Sequence, residues 1–472
     1  MENFNIQFKQ VFHKIFIYEA TENQKIAIEK LSDFIVSLKS HKTFILSGYA
    51  GTGKTTLISN FVKTLKHFKK NCQLLAPTGR AAKVFSLYSG EKAYTIHKKI
   101  YRKVKIEDGS IKLTLGANIT KNTIFIIDEA SMIADFNLNN NHSVSSRNLL
   151  EDVFTYVFSG ENCAIIFVGD EGQLPPIGSN FSPALDENYL IHHFPKLSIS
   201  SVKLNEVLRQ SSKSDILINA TTIRNTANNK FPKLKIKKND VLKINGLELQ
   251  EALEKAYSFY GTDETIIITK SNKRANLYNQ EIRKRILFFE EEISSGDIMM
   301  VVKNNYFWVE ETSDVGFIAN GEIIKIKKIL KEENIYGFNF IVVTLELIDY
   351  PNHGEFNALL FKDVISSESA SLSREEMKKL FFEIEQDYLD ERNKQKRYEK
   401  ILSNPYFNAL QVKFAYAITC HKAQGGQWEQ VFLDHGKIDD NTEDSSFKRW
   451  LYTAFTRAKE KLVLINFDER LF

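Results

Sequence analysis

Gly48-Tyr49-Ala50-Gly51-Thr52-Gly53-Lys54-Thr55 sets glycines, a lysine and a threonine at the spacing G-x-x-x-x-G-K-[ST]. The chemistry such a run can do is to hold a phosphate chain. Glycine lets the backbone fold closely enough to aim its N–H groups at phosphate oxygens, and a helix starting there adds its positive end. Lys54 then reaches the outer phosphates and the Thr55 hydroxyl ligates magnesium. The expected contacts are Gly48, Ala50, Gly51, Thr52, Gly53, Lys54, Thr55 and Thr56. Further along, Ile126-Ile127-Asp128-Glu129 closes an apolar run. An Asp-Glu pair by itself is usually solvated surface. At the end of a buried strand, one carboxylate holds magnesium and its neighbour orients or deprotonates the attacking water. Thr55 and Asp128 are therefore the expected metal ligands, and Lys54, Asp128 and Glu129 the start of a catalytic set.

Such groups need strands that stop and helices that start at defined places. The phosphate run lies directly between the apolar stretch TFIL and the helical pattern TLISNFVKTL. Similar β-branched runs recur at Gln73 to Leu75, Thr123 to Ile127, Ala164 to Val168, Thr265 to Ile268 and Lys461 to Ile465. Buried runs alternating with amphipathic stretches predict parallel sheets flanked by helices, hence the α/β class. A long gap in the series divides the chain into two α/β domains, 1–215 and from 216 onward. Within the second, 321–360 alternates in EIIKIKKI and NFIVVTLELI and predicts a small antiparallel unit, with a turn at Asn352-His353-Gly354. The pattern from Ser373 to Leu402 is helical, opened by a Ser373/Glu376 capping box, with Met377, Leu380, Phe381, Ile384 and Tyr388 as its apolar stripe. Its charged side reads as a solvated face or a nucleic-acid surface. The expected divisions are 216–320, 321–410 for the β insert with its helical extension, and 411–472.

The bulk composition narrows the setting. Of 472 residues, 43% are hydrophobic and 26% charged, which excludes disorder as the main state. A net charge of +4 means that any polyanion is gripped by a local groove, not by a global field. Cys72, Cys163 and Cys420 share no close spacing, which argues against a disulfide framework or zinc site and for a reducing cytoplasm. No signal peptide and no run of about 18 apolar residues is present, so no membrane partner is expected. His192-His193 and Asn137 to His142 match no motif and read as loop. The lysine-rich FPKLKIKKND from Phe231 reads as a solvated turn or a phosphate contact.

In motif order the chain resembles the superfamily-1B helicases of the RecD and Dda type. Thr21-Glu22-Asn23-Gln24 is similar to their Q motif, Leu75 to Ala82 (LAPTGRAA) to motif Ia, and Tyr94 to Lys98 (YTIHK) to motif Ib. Asp128 to Met132 (DEASM) resembles motif II, and Val168 to Pro176 (VGDEGQLPP) motif III. Leu204 to Gln210 (LNEVLRQ) resembles an arginine-bearing motif, and Thr269 to Asn272 with Asn279 and Arg283 the opening of the second motor domain. Gly296 to Asn305 with Asn320-Gly321-Glu322 is similar to the approach to an SH3-like insert; Tyr416 to Gly425 resembles motif V and Tyr452 to Ala458 motif VI.

This resemblance implies two RecA-like P-loop motor domains, a β-hairpin pin at about 98–121 and an SH3-like insert in the second domain. It implies ATP and Mg2+, with Gln24 on the base, Gln173 sensing the outer phosphate, Arg209 offered to the same phosphate and Arg457 as an arginine finger. It further implies single-stranded DNA and duplex junctions as partners, 5′ to 3′ movement and a monomeric motor. Thr78, Arg80, Lys83, Phe85, His97, Thr419, His421 and Gln424 are the candidate strand contacts, with Phe85 equally able to be core. Alternation on both sides of Glu107 to Ser110 is a hairpin signal at the pin position. A nucleotide-dependent switch without unwinding, and an RNA-directed motor, are the competing readings.

Overall fold

Runs such as Phe44-Ile45-Leu46 and Ile124 to Ile127 are apolar on both faces, so they must lie between two helical layers. The computed structural model describes residues 2–105, 111–135, 148–206, 214–227, 230–237, 240–310, 313, 315–367, 369, 371–437 and 445–472. Its first sheet is parallel with six strands in the spatial order Ala93–Thr95, Asn71–Ala76, Thr123–Ile127, Ala164–Gly169, Lys42–Gly48 and Ser198–Leu204. One face packs on the helices Glu2–Ile15, Glu22–Val36 and Lys54–His67 through Phe8, Phe12, Phe61 and Leu57. The other packs on Leu149–Ser159 through Val153, Phe154 and Val157.

A second parallel sheet runs Ala417–Thr419, Thr265–Thr269, Trp428–Asp434, Ala458–Ile465 and Val241–Ile244. The helices Asp215–Asn225 and Ser445–Phe455 pack together beside it. A third sheet is antiparallel: Phe356–Phe361, Phe338–Leu347, Ile323–Ile335, Ile298–Val301 and Val412–Phe414. It reaches past the expected 321–360 unit on both sides because Ile298–Val301 and Val412–Phe414 pair with each other at its root. A buried bidentate pair fixes that root: Arg283 donates to both carboxylate oxygens of Asp297 at 2.8 Å, and the Tyr416 hydroxyl donates to Asp297 at 3.0 Å. Asn279 braces the same corner, donating to Ala417 O and accepting from its N–H.

Two expectations change. The 373–402 pattern is two helices, Arg374–Gln386 and Lys394–Leu402, because Asn393 caps a new start by accepting from the N–H groups of Gln395 and Lys396. The Ser373/Glu376 capping box opens the first as expected. His192 and His193 end the helix Glu187–His193 instead of lying in a loop, since Asp186 caps it through Tyr189 N–H. The turn at 352–354 is present, with Gly354 at φ 77° after the short helix Pro351–His353. Strands Tyr101–Lys105 and Ile111–Leu115 pair antiparallel; their turn at 106–110 lies outside the described residues, as do Asn137 to His142.

Candidate active site

The carboxyl ends of three adjacent strands carry the chemistry. Lys42–Gly48 delivers the phosphate loop, Thr123–Ile127 delivers Asp128 and Glu129, and Ala164–Gly169 delivers Asp170 and Gln173. Ligands in open α/β sheets bind at this edge, where loops and helix N-termini converge. Gly53 at φ 79°, ψ 22° makes the left-handed step into the helix Lys54–His67, a step that a side chain would oppose. The loop is braced from within, as the Thr52 hydroxyl donates to Tyr49 O at 2.7 Å. Lys54 Nζ donates to Gly48 O at 2.6 Å and Tyr49 O at 2.9 Å. Thr55 and Thr56 open the helix, both half-buried.

Gln24 lies beneath this loop. Its amide accepts from Thr21 N–H at 3.0 Å, completing the capping box of Glu22–Val36, and donates to Thr52 O at 3.0 Å. Those two bonds make it a strut of the loop, a different task from reading a base.

Asp128 and Glu129 are side by side, and Glu129 N–H donates to Asp128 Oδ1 at 2.8 Å. Glu129 holds φ 51°, a left-handed backbone that a non-glycine residue adopts at a cost of about 1–3 kcal/mol. Withdrawal from water, then the charge of Glu129, push the Asp128 carboxyl above its ordinary range, while Glu129 N–H and Lys54 pull it back. Two crowded carboxylates with one lysine are short of positive charge. With the hard oxygen donors of Thr55 and Asp128, that deficit fits Mg2+. Gln173 is 5% exposed and its Oε1 has no hydrogen-bond partner among the described residues. An orphaned buried acceptor of this kind suits a water O–H.

The second α/β unit closes onto these groups. The Tyr452 hydroxyl donates to Asp170 Oδ2 at 2.6 Å and accepts from Ala50 N–H in the phosphate loop at 2.8 Å. The next residue, Thr453, accepts from Leu174 N–H at 2.8 Å, and Gln424 Nε2 donates to Leu174 O at 2.7 Å. Arg457 does not extend toward the loop. Its guanidinium donates to Thr453 O, Gly426 O and Thr456 Oγ1, all within its own unit. Arg209 lies outside the described residues.

Of the candidate strand contacts, Arg80, Lys83 and Gln424 bond across a seam between the units. Thr78 caps the helix Gly79–Ser89 through Ala81 N–H. Arg80 donates to Gln427 O at 3.1 Å, and its guanidinium lies 4.1 Å from the Trp428 ring centre. Lys83 bonds Ile348 O and Asp349. Glu322 seats its carboxylate against Gly79, where a Cβ would stand 1.9 Å from Glu322 Oε1, so this approach requires glycine. Burial, and then Asp349, push the Glu322 carboxyl up to about 8. His97 is half-buried, and loss of water lowers its imidazole to about 4, leaving it neutral at pH 7. Thr419 is half-buried and His421 exposed. Phe85 is a correction: at 1% exposure it belongs to the first core, because its place on the helix Gly79–Ser89 turns it toward the sheet. In Phe231 to Asp240, Lys233 is spent on Arg470 O and Phe472 O.

Asp170, Tyr452 and Thr453 are not among the expected site residues, although each lies inside a motif. Glu322 stood in a quoted motif without a role; Asp349 and Trp428 carried no signal.

Two parallel α/β sheets, a phosphate loop and an acidic pair at one carboxyl edge define a P-loop nucleoside triphosphatase of the two-domain kind, with an antiparallel β insert. Residues 20–238 match the family model of an AAA domain, and 414–465 that of the UvrD-like helicase C-terminal domain. An uncharacterized protein of Acanthamoeba polyphaga mimivirus is 27% identical over 93% of this chain and 98% of its own length. The ATP-dependent DNA helicase dda of Enterobacteria phage T4 is 27% identical over 65% of this chain and 67% of its own. A crystal structure of a Pif1 helicase from Bacteroides with ADP-AlF3 and ssDNA aligns at TM-score 0.48 and 14% identity, over 96% of this chain and 94% of that one. The chain belongs to the superfamily-1B helicases. No helix among the described residues is long and apolar enough to cross a membrane.

Proposed function

We propose that this chain is an ATP-driven motor that moves 5′ to 3′ along single-stranded DNA as a monomer and separates duplex strands ahead of it. The observation that carries the reading is one run of the second unit, Tyr452-Thr453, bonded at once to the phosphate loop and to Leu174, which Gln424 also holds. Anything that alters the loop must be felt by the segment bearing the strand-side residues. Closure of the two units and turnover thereby become one event.

In this reading the phosphate-loop N–H groups and Lys54 bind the triphosphate, and Thr55 with Asp128 hold magnesium. Held by these two residues, magnesium would supply positive charge against the phosphates. Glu129 accepts the proton of the attacking water, and Gln173 orients that water through its carbonyl oxygen. Arg209 and Arg457 supply cations to the outer phosphate, Arg457 after exchanging its present carbonyl partners. The motor domains divide at 1–215, 216–320 and 411–472, with 321–410 an SH3-like insert and helical extension. Thr78, Arg80, Lys83, His97, Thr419, His421 and Gln424 grip the strand when the seam opens, and the hairpin within 98–121 is the pin.

Hydrolysis rates with matched DNA and RNA oligomers test the reading. Stimulation of tenfold or more by single-stranded DNA supports it. An unchanged rate would favour a nucleotide switch, and preference for RNA an RNA-directed motor.

A further inference from the structure

Tyr49, the first variable residue of the phosphate loop, is held between two cations. Lys203 Nζ lies 5.3 Å from its ring centre, and the Arg224 guanidinium lies 3.8 Å from it. The two come from different parts of the chain. Lys203 is on the first sheet, in Ser198–Leu204, and is paired with Glu171 at 2.6 Å. Arg224 is at the end of Asp215–Asn225, the helix packed against Ser445–Phe455, which carries Tyr452. Successive loop residues are thus each engaged by the second unit, Tyr49 by Arg224 and Ala50 by Tyr452.

Arg224 differs from the other cations here in what it is not doing. Arg457 is 2% exposed and spends its guanidinium on three acceptors of its own unit. Lys203 is neutralised by Glu171. Arg224 donates only from Nε to Asn225 Oδ1 at 3.2 Å, and no carboxylate pairs with it among the described residues. Its charge is felt at the Tyr452 hydroxyl, which lies on the loop itself. A half-buried arginine held 3.8 Å from an aromatic ring centre, with only its Nε bonded, keeps N–H groups available for an anion.

We infer that Arg224 is a binding residue for the triphosphate: held over Tyr49, it brings a positive charge from the second unit to the outer-phosphate end of the loop when the units close. This rests on the ATP-hydrolysis reading and adds to it a cation outside every motif. Closure places Arg224 on the loop and opening withdraws it, so its effect depends on nucleotide state. A diphosphate, lacking the outer group, gains nothing from it.

Equilibrium binding of fluorescent ADP and of a non-hydrolysable ATP analogue to the full chain, with and without Mg2+, tests this in Arg224→Ala, Arg224→Lys and Tyr49→Leu, alongside steady-state hydrolysis. For Arg224→Ala the expected result is five- to twentyfold weaker binding of the triphosphate, ADP affinity within twofold of wild type, and kcat lowered about tenfold. Arg224→Lys restores part of the triphosphate preference, and Tyr49→Leu loses part of it by unseating the guanidinium. Equal weakening of both nucleotides, or unchanged triphosphate binding, overturns the inference. If the wild type binds the analogue but never hydrolyses ATP, the functional reading fails while the binding comparison still decides the role of Arg224.

Discussion

Tyr452 and Asp170 are 282 residues apart in the chain and 2.6 Å apart in the structure, joined by a hydroxyl that also receives the N–H of Ala50. Both are at least 98% buried. The contact joins the phosphate loop, the strand edge that bears Gln173 and the helix that leads to Arg457. It ties the second unit to the phosphate loop of the first.

Tyr452→Phe keeps the ring and deletes that joint. A buried carboxylate oxygen and a loop N–H are left unpaired, at a cost of about 1–3 kcal/mol. The expected result is kcat for DNA-stimulated hydrolysis lowered about tenfold, read in a steady-state assay beside a melting curve. An unchanged kcat would detach this contact from turnover.

Lys54→Ala and Glu129→Gln separate binding from chemistry. The first removes the charge that reaches the outer phosphates, and hydrolysis falls to background. The second keeps the shape and removes the base, so analogue binding stays within about threefold while turnover falls at least a hundredfold, in line with general-base contributions of about 10²–10⁴. Chelating magnesium produces the same loss of turnover in wild type. Retained turnover in either variant contradicts the roles given to these residues.

Glu322 makes stability depend on pH in a sense opposite to the usual carboxylate. Unfolded, it ionises near its ordinary value of 4.5; folded against Gly79 and Asp349, it holds its proton to about 8. The unfolded chain therefore binds fewer protons between those values, and this group's contribution falls as pH rises from 4.5 to 8, then levels off. Glu322→Gln removes the dependence. Melting curves across that range should show the variant gaining on wild type as pH rises, and parallel curves would refute the assignment.

Shortening residues 105 to 114 tests the pin. The strands Tyr101–Lys105 and Ile111–Leu115 pair in register, which makes a hairpin that can stand at a junction. Unwinding should fall at least tenfold while single-strand translocation is kept. Equal loss of both would assign the hairpin to folding.

Much of the architecture is local and was legible. Thr123 to Ile127 reads as a buried strand and is one with the same bounds, and the phosphate run sits between the strand and the helix its spacing requires. Alternation in 321–360 gave the antiparallel sheet, though not the strands Ile298–Val301 and Val412–Phe414 that root it, because runs of four and three residues are too short to show a period. Asn393 as a cap was readable and divides the long helical pattern. The seam was not legible. Ala50 and Tyr452 are 402 positions apart, and no pattern in either segment says which hydroxyl meets which N–H. Phe85 shows the same limit from the other side, since only the sheet behind its helix decides whether an aromatic faces core or groove.

We propose that closure at the phosphate loop drives directional strand separation. Strand displacement on duplexes carrying either a 5′ or a 3′ single-stranded tail, with ATP and Mg2+, tests it most directly. Unwinding of the 5′-tailed duplex alone, abolished in Lys54→Ala, is the predicted result. Unwinding only from the 3′ tail, or none from either despite DNA-stimulated hydrolysis, would contradict it.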